Sequence, residues 1–528
     1  MLSVIQQATD LSSLSDELQQ QAVTWAETYH LSMDRANVLR SLELSDADRI
    51  LEVGAGCGAI TRYAGERCGL VDGIEPDASR AEVGAARVRD LPNTEIHVAE
   101  LDEVPDVPFY DVALVVGVLE YVGLGAAERE PYIDFLRKIK SRLAPGGVVI
   151  CAIENLLGVK YLCGSPEDHT GRPFDGLTGY RNGGKARTFS RPELSALFEA
   201  AGLEPAFLHL FPDYKMTRAV LADRIFDQPY APLALEIPEF PSPDRVPGSV
   251  RVADERDAWE TLITAGQGAQ CANSFLVIGR TEGSPSRWPA HRLATFYSQR
   301  RAAMFRTETR VELDSKLEFI RNRLTSLPCR VGTLTQEAVS SDYIEGVLLS
   351  DQLETVGRDE TLQHLAAWRD LVRASPGSID LIPKNVRVQP SGELVAFDQE
   401  WRDDSWPPEA VLARGILSLW DRLAARWHTD AGGAEGLTAR AGAARLGELV
   451  GLTSDGSWID DAIDREAALT ATVGTGATGG ETWELIRSRV REDYLVKFPA
   501  AVAREKAPLP IRALRRADRA LRVLVRGY

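Results

Sequence analysis

Cysteine is scarce in this chain of 528 residues. Six occur, at positions 57, 68, 151, 163, 271 and 329, with no CxxC pair and no Cys/His cluster at zinc-site spacing. The pattern excludes a disulfide-stapled fold and a zinc finger, and it predicts reduced thiols in a packed interior. Positive charge is also short: 60 Lys and Arg stand against 77 Asp and Glu, a net charge of -17. An acidic average surface repels a phosphodiester backbone, so general nucleic-acid binding is excluded. No run approaches the roughly 20 apolar residues of a membrane span. The opening MLSVIQQATDLSSLSDELQQ lacks the basic and apolar stretches of a secretory leader. The expectation is a soluble, cytoplasmic protein. No G-x-x-x-x-G-K-[ST] occurs, which removes the P-loop, and no repeat of fixed period stands out.

What is present exceeds one hydrophobic core, so two or three domains are expected. From Arg49 to about Ile153, the β-branched runs RILEVG, VDGIE, TEIHVAE, DVALVVGV and GGVVICAI alternate with helical stretches such as YIDFLRKIKSRLAPGG. This predicts an α/β fold with an open, doubly wound sheet, which binds ligands at the carboxyl ends of its strands. Residues 171–188 read as a loop, and SRPELSALFEAAGLEP as a capped helix from Ser190 to Gly202. Proline density rises at DQPYAPLALEIPEFPSPDRVPG (227–248), predicting a boundary or long connection. The predicted division is 1–225 for the sheet domain with a helical cap, 226–290 for a Pro-rich connection and strand, and 291–470 for a second, mainly helical α+β domain. The remainder, 471–528, reads as a flexible link followed by a basic amphipathic helix.

The stretch LEVGAGCGAITRY (51–63) packs Gly54, Gly56 and Gly58 into five positions after an apolar run. Gly54, Gly56 and Ala59 satisfy the dinucleotide pattern G-x-G-x-x-G/A, so the loop alone leaves its ligand open. Glu52, two residues before the first glycine, suits a cationic amino-acid end and would repel a pyrophosphate. Glu75, seventeen residues after Gly58, ends the next strand, where a carboxylate accepts ribose hydroxyls in either kind of enzyme. DVALVVGVLEYV followed by LAPGGVVI resembles the fourth strand and the approach to the fifth in class I S-adenosylmethionine-dependent methyltransferases. That resemblance implies a Rossmann-like domain and S-adenosyl-L-methionine as cofactor. WAETYHLSMDRANVLRSLEL (25–44) is similar to the segment before the first strand in polysaccharide-linked methyltransferases, and it implies cofactor or substrate contacts at Tyr29, His30 and Arg35. By the same resemblance Glu100 and Leu101 flank the adenine, and Gly117 and Glu120 line the floor beneath the methyl group.

AIENLLGVKYLCGSPEDHTG (152–171) begins where the fifth strand ends, which puts Glu154, Asn155, Asp168 and His169 in reach of an acceptor. Asp168 and His169 are expected to form an acid-base pair that deprotonates a hydroxyl, a carboxylate beside an imidazole raising its basicity. No metal is expected in this domain. Further on, SIDLIPKNVRVQPSGELVAFDQEW (378–401) spaces Asp380, Asn385 and Asp398 as in the catalytic loop and metal-binding aspartate of protein-kinase-like and aminoglycoside-phosphotransferase-like folds. The resemblance implies magnesium and ATP as ligands there, and DYIEGVLLSDQL (342–353) resembles the hinge. Departures are serious. Ser378 replaces a His or Tyr, no Gly-rich loop occurs in 290–320, and Asn322 stands where relatives carry the phosphate-binding lysine, leaving Lys316 as the nearest candidate. The reading is a kinase-like fold with phosphotransfer impaired.

The order of the two parts resembles the bifunctional kinase-methyltransferases that cap O-antigen chains. It implies methyl transfer to a hydroxyl or phosphate of a cell-surface glycan, glycolipid or precursor. The alternatives are an active kinase-methyltransferase, and a small-molecule O-methyltransferase with a pseudokinase scaffold. The chain closes on PIRALRRADRALRVLVRGY, whose arginines and aliphatic residues separate onto two helical faces. That layout predicts peripheral contact with the inner membrane face or a partner protein.

Overall fold

Short β-branched runs become strands where both faces are covered, because a buried backbone finds its hydrogen bonds in a ladder. β1 (Arg49–Val53), β2 (Leu70–Ile74), β3 (Thr94–His97), β4 (Tyr110–Val116) and β5 (Leu143–Glu154) pair in parallel. Ile50, Leu51, Val112, Ala113, Leu114, Val149 and Ile150 on these strands are fully buried. The helices Ala59–Arg67, Ala78–Val88 and Glu130–Lys140 carry the chain back between strands. In the order β3-β2-β1-β4-β5 the direction of growth reverses between β1 and β4, and a crevice opens there at the carboxyl ends.

The computed structural model describes residues 1–125, 127–236, 238, 240–243, 251–337, 340–427, 439–474 and 483–495. They form two compact units, one of Met1–Gln299 with Glu308–Ser315, the other of Arg300–Thr307 and the described residues from 316 to 495. The sheet of the first unit is mixed rather than wholly parallel. β6 (Glu204–Phe211), β7 (Ala219–Ala222), β8 (Ser274–Arg280), β9 (Arg292–Tyr297) and β10 (Thr307–Leu313) extend it. β8 runs antiparallel between β5 and β6, and the order continues through β7 and β9 to β10.

This moves the expected boundary. The proline-rich segment after 226 does not separate two domains, because β8 and β9, which follow it, belong to the first sheet. Phe211, Phe226 and Phe240 crowd around the fully buried Trp259, with ring centroids 4.9, 6.1 and 6.5 Å away. The Trp259 indole N–H donates to the Ala234 carbonyl at 2.9 Å. Prolines fix local turns, whereas the aromatic rings between them bury about 150–250 Å² each and decide where the segment goes.

In the second unit the helices Arg358–Ala374, Pro408–Trp427, Ala439–Leu449, Trp458–Val473 and Trp483–Leu495 supply a core that includes Trp368, Ile416 and Ile463. The short strands Val347–Leu348, Val386–Val388 and Leu394–Ala396 pair antiparallel beside it. Among the described residues no helix is long and apolar enough to cross a membrane. The basic C-terminal helix expected on residues 510–528 lies outside the described residues.

Candidate active site

β1 ends in a loop that only glycine allows. Gly54, Gly56 and Gly58 have φ of +81°, +54° and +77°. A Cβ on Gly58 would stand 2.9 Å from the Gly84 Cα, and one on Gly54 would stand 2.5 Å from Val118 Cγ2. These two glycines let the turn close against its neighbours. A Cβ on Gly56 would meet only His30 Cε1, at 3.8 Å. The Gly56 N–H donates to Glu75 Oε2 at 2.9 Å, and the Asp77 N–H donates to the other carboxylate oxygen at 3.1 Å. The end of β2 is thereby tied to the glycine loop.

Glu52 lies on β1 between Gly73 of β2 and Leu114 of β4. It is 2% exposed and its Oε2 has no hydrogen-bond partner. Burial pushes its pKa up to about 8, against the pull of the nearby Thr61 hydroxyl and of Arg35. Arg35, from the turn Met33–Ala36, is also buried. It donates to Tyr29 Oη at 2.9 Å and to the Tyr214 carbonyl at 3.2 Å, and its guanidinium sits 4.4 Å from the Tyr29 ring centre. These are neutral oxygens, so the positive charge is left for an anion. Arg35 presents a positive charge and Glu52 a buried carboxyl that an incoming ammonium would ionise, a combination suited to a zwitterion. His30 is neutral near pH 7, its pKa lowered to about 4 by burial and by Arg35, Arg80 and Arg87.

Glu100 and Leu101 follow β3. The Glu100 carboxylate is exposed, its amide donates to Glu103 Oε2 at 2.7 Å, and Leu101 is buried. Gly117, at φ +72° after β4, faces Tyr214, whose Oη a Cβ would approach to 2.5 Å. That hydroxyl donates to Glu120 Oε1 at 3.2 Å. Glu120 and Glu154 are both fully buried, and each keeps an Oε2 without a hydrogen-bond partner.

The expected Asp168–His169 pair is not formed. His169 Nδ1 lies 2.8 Å from Glu167 Oε1, while its Nε2 faces Glu120 Oε1 at 3.8 Å and Glu154 Oε2 at 4.0 Å. Asp168 turns instead to Lys160 Nζ at 3.0 Å and Lys215 Nζ at 2.7 Å. Lys215 also pairs with Glu154 Oε1. Residues 168–170 form a turn in which Glu167 Oε2 accepts the His169 and Thr170 amides at 2.9 and 2.7 Å, and this holds Glu167 against the imidazole while Asp168 meets the lysines. Burial opposes a charge on His169, but Glu120 and Glu167 outweigh it and raise its pKa to about 11. An imidazole that already carries its proton does not act as a general base. Asn155 does not face the acceptor either. It is fully buried, and its amide donates to the Gln270 and Ala272 carbonyls at 2.7 and 2.8 Å.

Glu167, Lys160, Tyr214 and Lys215 escape the sequence reading. Tyr214 and Lys215 come from the turn after β6, with no motif spacing to the glycine loop, and only the sheet order brings them to β4 and β5.

In the second unit Asp380 Oδ1 pairs with Arg414 at 3.0 Å, and its Oδ2 accepts the Trp401 amide at 3.2 Å. Arg414 in turn pairs with Glu466 at 2.6 Å. The Asn385 side chain donates to the Asp380 carbonyl at 3.0 Å. Asp398 sits at φ +54° and pairs with Arg321. Arg321, rather than Asn322, is thus the residue of its strand that meets Asp398, and Lys316 is spent on Asp342 at 2.7 Å and Glu318 at 3.1 Å. Asp380 is therefore engaged by an internal cation.

With the geometry described, the chain can be set beside known proteins. A family description of a methyltransferase domain matches residues 51–149. A probable fatty acid methyltransferase of Mycobacterium tuberculosis is 28% identical over 115 residues, 21% of this chain. The chain spans about a quarter (26%) of that relative's length. The geranyl diphosphate C-methyltransferase from Streptomyces coelicolor, solved with magnesium, geranyl diphosphate and S-adenosyl-L-homocysteine, aligns at 19% identity over 48% of this chain and 79% of its own, TM-score 0.28. The YcgJ protein from Bacillus subtilis aligns at 15% identity over 47% of this chain and 97% of its own, TM-score 0.27. The matched residues run from β1 into β5 across the glycine loop, so the chain carries a methyltransferase domain with a Rossmann-like core.

Proposed function

We propose that this chain transfers a methyl group from S-adenosylmethionine to a hydroxyl or phosphate oxygen of a cell-surface glycan or its precursor. The observation that carries the reading is the buried carboxyl of Glu52 together with the buried guanidinium of Arg35 beside the glycine loop. A zwitterionic amino-acid end suits both groups, its carboxylate meeting Arg35 and its ammonium favouring the ionised form of Glu52, whereas a pyrophosphate offers no cation to Glu52. S-Adenosylmethionine would supply a methyl on a sulfonium, the acceptor oxygen bonding to carbon as the carbon–sulfur pair leaves with sulfur. The proton of a hydroxyl acceptor would pass to the open carboxylate oxygen of Glu120 or Glu154, and an ionised phosphate oxygen has none to lose. Glu75 accepts the ribose hydroxyls in place of, or beside, its present backbone donors. Gly117 and Tyr214 hold the floor from which Glu120 and Glu154 face the acceptor. In-line alignment supplies most of the acceleration at such an activated carbon.

The acceptor side supports an oxygen-rich substrate. Lys160, Asp168, His169, Glu120, Glu154 and Lys215 converge there, and a fatty acyl or isoprenoid chain would have to desolvate them without return. The resemblance to O-antigen capping enzymes points to a glycan within that class. Phosphoryl transfer is no part of this reading, because Arg414 and the Trp401 amide hold both oxygens of Asp380.

The test is incubation of the full chain with methyl-labelled S-adenosylmethionine and surface-glycan and lipid fractions from cells lacking the gene. Label is expected in the glycan fraction with wild type and strongly reduced with Glu75→Ala. Label confined to apolar lipid, or none in any fraction, would overturn the acceptor class.

A further inference from the structure

We infer that Glu120, Glu154 and His169 form a site for a divalent transition-metal ion, Mn²⁺ or Zn²⁺, on the acceptor side of the methyltransferase domain. One donor atom from each lies within 4.8 Å of the other two, and two of the three residues are fully buried. Adjacent ligands at about 2.1 Å from one ion stand roughly 3 to 3.4 Å apart, so side-chain movements on the order of 1 Å close the set.

Three further observations point the same way. Glu154 Oε2 and Glu120 Oε2 are buried acceptors with no donor, and Glu154 Oε2 is aimed at the His169 ring nitrogen from 4.0 Å. A buried carboxylate oxygen without a partner is costly, and a cation is the partner it lacks. The second observation concerns the imidazole. Its Nδ1 is held by Glu167 at 2.8 Å, which orients Nε2 toward the two glutamates. A carboxylate on the far nitrogen of a histidine is the arrangement that fixes the tautomer and strengthens a metal-binding imidazole. The third is charge. Among the described residues, Glu120, Glu154, Glu167 and Asp168 face Lys160, Lys215 and His169, through contacts of 3.0 Å or less from the lysines to Asp168 and a further contact to Glu154. With His169 neutral, as a metal ligand is, two surplus negative charges are left for a divalent ion to cancel, and the proton that His169 otherwise carries is the competitor of that ion. One nitrogen with two carboxylate oxygens favours Mn²⁺ or Zn²⁺ over Ca²⁺ and Mg²⁺, which take oxygen ligands throughout.

The site names a substrate feature, and in this respect it rests on the methyl-transfer reading. Three protein ligands leave positions on the ion for an acceptor that offers two neighbouring oxygens. Methylation of one of them would then be directed by chelation of the other.

The test uses the metal alone on the full chain, stripped with chelator and titrated with Mn²⁺, free Mn²⁺ being read by electron paramagnetic resonance. One ion per chain is expected. Glu154→Gln and His169→Gln should each weaken binding at least tenfold, and Glu167→Gln by about tenfold through the orientation of His169. Circular dichroism confirms that each variant is folded, and Lys316→Ala serves as a folded control that keeps the wild-type affinity. If wild type takes up no Mn²⁺ or Zn²⁺ at 1 mM, or if Glu154→Gln and His169→Gln bind as wild type, the cluster holds a proton and not an ion. Titration of the same preparations with S-adenosylhomocysteine separates the two claims. Cofactor binding without metal binding ends the metal inference alone, and metal binding without cofactor binding ends the methyl-transfer reading alone.

Discussion

Glu75 accepts the Gly56 amide at 2.9 Å, so one carboxylate joins the end of β2 to the glycine loop that follows β1. The glycine loop is thus held in place by the residue proposed to hold the ribose. Glu75→Ala should weaken S-adenosylhomocysteine binding by about 1.5 to 3 kcal/mol, the scale for losing hydrogen bonds to a charged group. Calorimetry on the full chain measures this. A fragment ending at 225 is unsuitable, since it lacks β8, which fills the sheet between β5 and β6.

Glu52 gives a pH signature. Its folded pKa of about 8 lies above its ordinary value of 4.5. The folded chain then keeps a proton that the unfolded chain loses, and stability falls as pH rises from 4.5 to about 8. Glu52→Gln removes that fall. At pH 8 the ligand-free variant should melt above wild type, at pH 4.5 the two should melt alike, and cofactor binding should be at least tenfold weaker. A variant that melts lower at pH 8 would show that Glu52 is already paired.

Gly58→Ala combines a left-handed backbone with a Cβ 2.9 Å from the Gly84 Cα. Neither backbone can yield cheaply, so a loss of about 2 kcal/mol or more is expected in chemical denaturation, together with weaker cofactor binding. Gly56→Ala, with only His30 Cε1 at 3.8 Å, should lose less stability. Equal losses at the two positions would mean that the loop adjusts freely.

The second unit should neither bind nor use nucleotide strongly. ATP with magnesium is expected to leave the melting temperature of wild type unchanged. Asp380→Ala should destabilise by roughly 3 kcal/mol, because it strips one partner from the buried Arg414, and should leave methyl transfer intact. A large melting shift with ATP, abolished by Asp380→Ala, would show that Arg414 gives way to a nucleotide.

The α/β pattern, the glycine loop and the carboxylates after β1 and β2 were legible because they are local: each lies on or directly after a strand whose burial shows in its composition. The antiparallel β8 was recognisable as a strand, yet its place beside β5 was not, since prolines suggested a break and pairing carries no sequence label. His169 was found, but its partner was misassigned. Sequence adjacency favoured Asp168, whereas the turn at 168–170 leaves Asp168 to Lys160 and Lys215 and Glu167 to the imidazole. Arg321 was missed because the two faces of its strand cannot be told apart when neither is strongly apolar.

The central claim is that the glycine loop with Glu52, Arg35 and Glu75 is built for S-adenosylmethionine. Calorimetric titration of the full chain with S-adenosylhomocysteine and, separately, with NAD tests it most directly. The account predicts one S-adenosylhomocysteine per chain and no NAD. A folded chain that binds NAD, or that binds neither ligand, would contradict it.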